Sequence, residues 1–189
     1  SSSKFAKKCE EAGVDAIVAE GFEAGGHNGR EELTTMVLIP QVCEVTTLPI
    51  IAAGGIASGK AIVAAQALGA EGVQIGTLFA ASEESSASEA FKEYCIKLGE
   101  EDTMLALKKI SPSRLAKNAL YNKIKEAEDN GADATTLKNI LGDKSTKRGI
   151  FEGDIENGEI EIGQAVTAIK QIQPIKDIIS NLISDYNTT

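Results

Sequence analysis

Three times within residues 14–85 a short apolar run ends in glycine and gives way to a helix-forming stretch, and this recurrence narrows the possible folds more than any other feature of the chain. Val14–Glu20 runs into Gly21, Leu48–Ala53 into Gly54-Gly55, and Gly72–Ile75 into Gly76-Thr77. Runs of that length bounded by glycine read as strands covered on both faces, the pattern of a parallel sheet. Between them, Pro40 stands near a first helical position and Val42, Cys43 and Val45 continue to Thr46. Ser58 is placed to cap a stretch carrying Ile62, Val63, Ala65, Gln66 and Leu68 up to Gly69. Before the first run, Ser3–Ala12 carries Phe5, Ala6 and Cys9 at helical spacing and stops at Gly13; after the third, Phe79–Glu84 is helix-prone. Strand and helix alternating at this spacing imply parallel crossovers and an α/β fold.

Three strands are too few for a closed barrel or a doubly wound sheet, and alone they would leave edges unpaired. The expected fold is therefore the C-terminal portion, about three strands, of a larger α/β domain, followed by a mainly helical C-terminal segment. The opening Ser1-Ser2-Ser3, without methionine, reads as a cut or processed end.

From Ser86 onward the pattern becomes helical. Phe91, Tyr94, Cys95 and Leu98 mark one face. Ser111-Pro112 is expected to open a helix through Leu115, Ala119, Leu120 and Ile124 to a stop at Gly131, and Asp133–Leu141 a further short one. Gly149–Gly163 reads as loop with a strand-like flicker at Ile160–Ile162, and Gln164–Ile172 and Pro174–Tyr186 as helices. In the last, Ile175, Ile178, Ile179, Leu182, Ile183 and Tyr186 form a stripe expected to be core. The organisation expected is 1–85 barrel portion, 86–162 helical insert or lid, and 163–189 helices packing back on the barrel.

Composition bounds the partners. A net charge of −9, from 19 basic and 28 acidic residues, repels phosphate backbones and argues against nucleic acid; the cluster Lys138, Lys144, Lys147, Arg148 reads as solvated surface. No stretch is long and apolar enough to suggest a membrane span. Cys9, Cys43 and Cys95 are odd in number and far apart, which suggests neither a zinc site nor a disulfide framework, and no metal is expected. They read as small buried hydrophobes in a protein of the reducing cytoplasm.

The single histidine, His27, follows Gly25-Gly26 and precedes Asn28-Gly29. Glycines on both sides favour turns and close backbone approach, so His27 reads as a loop residue facing a ligand. Gly54-Gly55 and Gly76-Thr77 lie where strand gives way to helix, a place where unpaired N–H groups and a positive dipole end suit an anion. In barrels a phosphate site commonly uses the loops after the last two strands. With so acidic a chain, backbone N–H groups are the expected holders of any phosphate.

The segments Glu20–Gly29 (EGFEAGGHNG), Ile51–Ile56 (IAAGGI) and Gly69–Thr77 (GAEGVQIGT) resemble the 2-nitropropane dioxygenase family of FMN-dependent TIM barrels, which includes nitronate monooxygenases and flavin-type enoyl-ACP reductases. Ser111–Arg114, Phe151–Asp154 and Gly163-Gln164 are similar to that family's segments that close over the flavin. The resemblance implies that Glu20, Gly25, Gly26, Gly54, Gly55, Gln74, Ile75, Gly76 and Thr77 hold FMN and that His27 is catalytic. At Glu20 the family often carries glutamine, so this chain departs from it there. By the same comparison the chain starts near the fifth barrel helix and holds strands six to eight, the N-terminal part of the barrel coming from residues outside this sequence or another chain.

The activity implied first is oxidation of alkyl nitronates or nitroalkanes with dioxygen, His27 removing an α-proton or steadying the nitro group. The alternatives are NAD(P)H-dependent reduction of an enoyl thioester and a non-catalytic flavin- or phosphate-binding fragment.

Overall fold

In the computed structural model, which describes residues 2–189, α1 (Ser3–Glu11) leads into β1 (Ile17–Glu20) and the short β2 (Gly26–His27). Then follow α2 (Thr35–Cys43), β3 (Ile50–Ala53), α3 (Gly59–Ala67) and β4 (Gly72–Gln74). Strands β1, β3 and β4 form a parallel sheet in that order, with Glu20, Ala53 and Gln74 in one row of the register. The three strand-and-helix units expected from the sequence are therefore present. Ser58 caps α3, its side chain accepting from the Ala61 N–H at 3.1 Å.

Helices α1–α3 cover one face of this sheet. Ile17, Ala19, Ile50, Ala52, Leu38, Ile39, Val42 and Ala65 make the buried core between the two layers. The other face is not fully covered: Val18, which alternates with Ile17 and Ala19, is 45% exposed. The sequence reads β1 as buried on both faces; within this chain helices cover one face and the face bearing Val18 stays open. Helix α2 also starts earlier than expected, at Thr35, so that Pro40 lies inside it. The proline removes the usual donor to the carbonyl of Met36, a residue 63% exposed.

The second half departs further from helical expectation. After α4 (Thr77–Ala80) and α5 (Glu89–Cys95) come β5 (Thr103–Ala106) and β6 (Ser113–Ala116). The helix expected to open at Ser111-Pro112 is a strand through Ser113–Ala116, buried at all four positions. It lies between β2 and β5 in an antiparallel sheet, Gly26 opposite Arg114 and Leu105 opposite Arg114 on the other side. Pairing from both sides overrides local propensity. The helix begins only at α6 (Ala119–Asp129), capped by Asn118, and α7 (Ala134–Leu141) follows, capped by Asp133.

Lys147–Phe151 is a π-helical turn, and Glu161 bridges Leu115 between the fully buried Ile160 and Ile162. The helix expected at Gln164–Ile172 is a 3-10 turn ending at Ala168, because Ile169 turns extended and buries itself. Helix α8 (Ile175–Thr188) docks on α3, where Tyr186 Oη donates to Gln66 at 2.9 Å. Ile178 and Leu182 are buried there, but Ile179, Ile183 and Tyr186 are exposed, so only two of the six stripe residues are core. Cys95 is fully buried and its thiol is pushed up to about 12 by desolvation, while Cys9 and Cys43 are half-buried.

Candidate functional site

Glu20, Ala53 and Gln74 end their strands side by side, so the three loops that follow leave the sheet at one edge. That edge is the C-terminal one, where α/β sheets present ligand sites. The loops enclose a cleft of ≈ 280 Å³ whose wall includes Glu20, Gly54, Gly55, Gln74, Gly76 and Thr77. Gly25, Gly26, Glu161, Ile162 and Gly163 close it from the other side. Gly54 and Gly55 hold φ at +94° and +71°, a backbone that L side chains rarely adopt, and so turn the chain sharply at the strand end. Nothing lies within 4 Å of where a Cβ on Gly76 would stand, so glycine there keeps the cleft open.

His27, read from the sequence as a loop residue, instead lies in the two-residue strand β2 opposite Ser113, because β6 pairs with it, and the segment leading into β2 is tied to both sheets. Arg114, 1% exposed, donates from Nε and Nη2 to the Phe22 carbonyl at 3.2 and 2.9 Å and lies 4.5 Å from the centre of the Phe22 ring. Burial lowers the pKa of this guanidinium, opposed by the nearby Glu23 and Glu32 carboxylates. Arg30 donates to the carbonyls of Lys108 and Ile110, Lys108 pairs with Glu32, and the Asn28 N–H donates to Pro112 O at 2.8 Å. On the parallel side, both Glu23 oxygens accept from the Thr35 N–H, at 2.9 and 3.1 Å. A Cβ on Gly25 would stand 2.5 Å from the Ile162 carbonyl carbon, so only glycine lets this loop lie against Ile162-Gly163. Gly163 N–H in turn donates to Thr77 Oγ1 at 3.0 Å, and Gln164 N–H to Glu23 O at 2.9 Å.

Of the residues singled out in the sequence, Glu20, Gly25, Gly26, Gly54, Gly55, Gln74, Gly76 and Thr77 all meet at this one cleft. Ile75 does not: it packs on the core beneath the sheet. His27 stands at the rim, its side chain 72% exposed and Nδ1 3.5 Å from Glu161 Oε1. Glu23 and Glu161, absent from the sequence-derived site, both line the cleft. Glu23 lay inside the Glu20–Gly29 motif and could have been found there, whereas nothing local marks Glu161. No lysine or arginine is among the lining residues, and burial raises the pKa of both the Glu20 and the Glu161 carboxyls. The cleft is thus acidic at its carboxylate side and, along Gly54-Gly55 and Gly76-Thr77, offers an anion no charged side chain, only backbone N–H groups and the Thr77 hydroxyl. No helix among the described residues is long and apolar enough to cross a membrane.

A parallel strand-and-helix layer with its cleft at the C-terminal strand ends is the C-terminal part of a TIM barrel, and solved barrels match it along its length. FabK from Thermotoga maritima superposes with a TM-score of 0.92 at 39% identity, covering 100% of this chain and 59% of that one. A nitroalkane oxidase from Streptomyces ansochromogenes does so with a TM-score of 0.83 at 27% identity, covering 99% and 56%. The family model described as nitronate monooxygenase matches residues 1–185, and the chain belongs to that family. A probable nitronate monooxygenase of Staphylococcus aureus strain MSSA476 is 37% identical over 188 residues, 94% of this chain and 52% of that protein. The chain spans about half the length of the curated relatives it matches.

Proposed function

We propose that the protein carrying this chain is an FMN-dependent oxidoreductase of the nitronate monooxygenase type, acting on alkyl nitronates or nitroalkanes with dioxygen. The observation that carries this reading is the meeting of three glycine-bearing loops and the His27 loop at the C-terminal edge of one parallel sheet. The residues present fit the phosphate end of FMN. Gly76 faces open space that a side chain there would enter, and Gly54 and Gly55 turn on positive φ with no side chain of their own at the cleft wall. In this reading Gly54, Gly55, Gly76 and Thr77 hold the phosphate, while Glu20, Gly25, Gly26 and Gln74 border the ring system, Ile75 supporting the loop from below. FMN, when bound, supplies the electron transfer between substrate and dioxygen.

The chain's own residues position and exclude. His27 at the rim donates to the nitro group, and the clamp of Arg114 on Phe22 keeps the loop from drifting as substrate enters. Residues 1–85 act as the flavin-holding layer, 86–162 as the part that closes over it, and 163–189 as the return onto the barrel. Strands from outside this sequence, or from another chain, pair with the open edges of β1 and β4. Three free thiols suit a reducing cytoplasm.

A second reading, enoyl-thioester reduction with NAD(P)H, is favoured by the 0.92 TM-score to FabK. Oxygen uptake with propyl nitronate in the absence of NAD(P)H is the expected result. Rapid anaerobic bleaching by NAD(P)H together with reduction of a crotonyl thioester would transfer the assignment to the reductase; neither reaction in an FMN-loaded protein would leave only a binding fragment.

A further inference from the structure

Helix α8 is tied at its two ends to the segments that follow the two glycine loops. At its start the Ile175 N–H donates to Glu84 Oε2 at 2.8 Å, and the Gln173 carbonyl accepts from the Glu83 N–H at 3.0 Å. Glu83 and Glu84 follow Gly76-Thr77 and α4, and the Glu83 carbonyl is held in turn by Lys92 Nζ at 3.0 Å, a lysine only 2% exposed. At the other end Asp185 Oδ2 accepts from the Lys60 N–H at 3.1 Å, in the first turn of α3. Ser58 takes the Ala61 N–H of the same turn, so Asp185 completes the cap. Among the described residues it is the one side chain from another element that accepts a hydrogen bond there. Gly59 permits the approach: a Cβ on it would stand 2.0 Å from Tyr186 N and 2.5 Å from the Asp185 carbonyl carbon, so no other residue lets α8 lie so close. Ser58, Gly59, Leu78 of α4, Ile178, Leu182 and Asp185 line one hollow of ≈ 230 Å³ between the three helices. Only Ile56-Ala57 separates Gly54-Gly55 from Ser58, and Ile56 still lines the cleft. The near end of that loop is held by Thr35 Oγ1 on the Gly54 carbonyl at 2.8 Å; its far end is held by the first turn of α3, and hence by α8.

We propose that Asp185 is a positioning residue for the phosphate: through the first turn of α3 it fixes Gly54–Ser58 at the separation from Gly76-Thr77 at which the two loops grip one phosphate, α8 being the strut between them. The assignment rests on the reading above in which these loops hold the phosphate of FMN, and it is indifferent to which substrate the flavin serves. Asp185 is not part of the cleft wall. Its negative charge opposes a phosphate nearby, so its contribution is geometric, the holding of backbone donors in place before the ligand arrives. Removing the carboxylate therefore weakens phosphate binding, whereas the loss of charge alone would strengthen it.

The test compares FMN with riboflavin, which lacks the phosphate, by fluorescence titration of the full protein carrying this chain. The wild type is expected to bind FMN about 100-fold or more tightly than riboflavin. Asp185→Ala is expected to weaken FMN by about 10-fold while riboflavin stays within about twofold. Asp185→Asn keeps an acceptor for the Lys60 N–H and is expected to restore most of that loss. Glu84→Ala frees the other end of α8 and is expected to narrow the ratio of the two flavins by about threefold, which decides the matter where Asp185→Ala fails to fold. Hydrogen exchange on the FMN-loaded protein should quicken across residues 54–61 in D185A and 77–84 in E84A, with β1 unchanged. Equal weakening of both flavins in D185A, or FMN binding that is unchanged or tighter, overturns the positioning role and leaves the flavin reading standing. A wild type that binds riboflavin as tightly as FMN removes the phosphate from these loops, and this assignment with it.

Discussion

The site lies on the seam between two regions built in opposite ways. The parallel layer of β1, β3 and β4 pairs its strands in chain order, α3 linking β3 to β4 and α2, with β2 before it, linking β1 to β3. The antiparallel sheet is local only where β5 pairs with β6; its other links join strangers, Gly26 lying opposite Arg114 and Leu115 bridging Glu161. Loop-closure cost grows with separation, so the second region holds only where specific contacts repay it. Those contacts are polar and buried, with Arg114 as the largest fully buried side chain. One layer supplies glycine turns at strand ends by regular geometry; the other presses the histidine loop and Glu161 against them. The proposed chemistry would draw on both, because backbone N–H groups can hold an anion but cannot move a proton.

Breaking the seam at Arg114 should have the largest effect. Arg114→Ala removes the donors to the Phe22 carbonyl and the guanidinium that covers its ring, and leaves a cavity behind. A loss of about 3–5 kcal/mol is expected in urea unfolding. At temperatures where the variant remains folded, hydrogen exchange should quicken around Phe22–His27 more than in β3. A uniform rise across both regions would show that the parallel layer depends on the second sheet as much as the reverse.

Gly25→Ala tests the contact rather than the clamp. With its Cβ 2.5 Å from the Ile162 carbonyl carbon, the loop must lift from Ile162-Gly163, costing about 1–3 kcal/mol. FMN binding, measured by fluorescence titration, should weaken together with stability. The smallest expected effect belongs to the parallel side. Thr35 Oγ1 lies 2.8 Å from the Gly54 carbonyl and 3.0 Å from Glu23, with one proton to share. Thr35→Val should cost about 1–2 kcal/mol in the same unfolding measurement, and should loosen Gly54-Gly55 without altering the β2–β6 pairing. Equal losses from Thr35→Val and Arg114→Ala would erase the contrast between the two regions.

How much could be read from the chain follows the same division. Glycines after apolar runs located the cleft-lining loops, and the Ser58 cap placed α3, because turn geometry and capping act within a few residues. Ser113–Ala116 was unreadable as a strand: its pairing partners are Gly26-His27 and Thr103–Ala106, and nothing within the tetrapeptide announces them. The α8 stripe shows the limit of periodicity. Its spacing correctly marked a docking helix, but which of its residues would be covered depended on what lies beneath it, chiefly α3.

From the sequence by itself came the parallel β/α layer, the glycine loops at its strand ends and the histidine among them, since each is written in spacing that the backbone obeys locally. Tertiary structure decided which carboxylate stands beside that histidine and where the loop bearing it is tied down. Glu161 and Arg114 reach the site only through pairing between distant strands, and pairing of that kind is settled by what each strand can bury and bond, not by the residues adjacent to it in the chain.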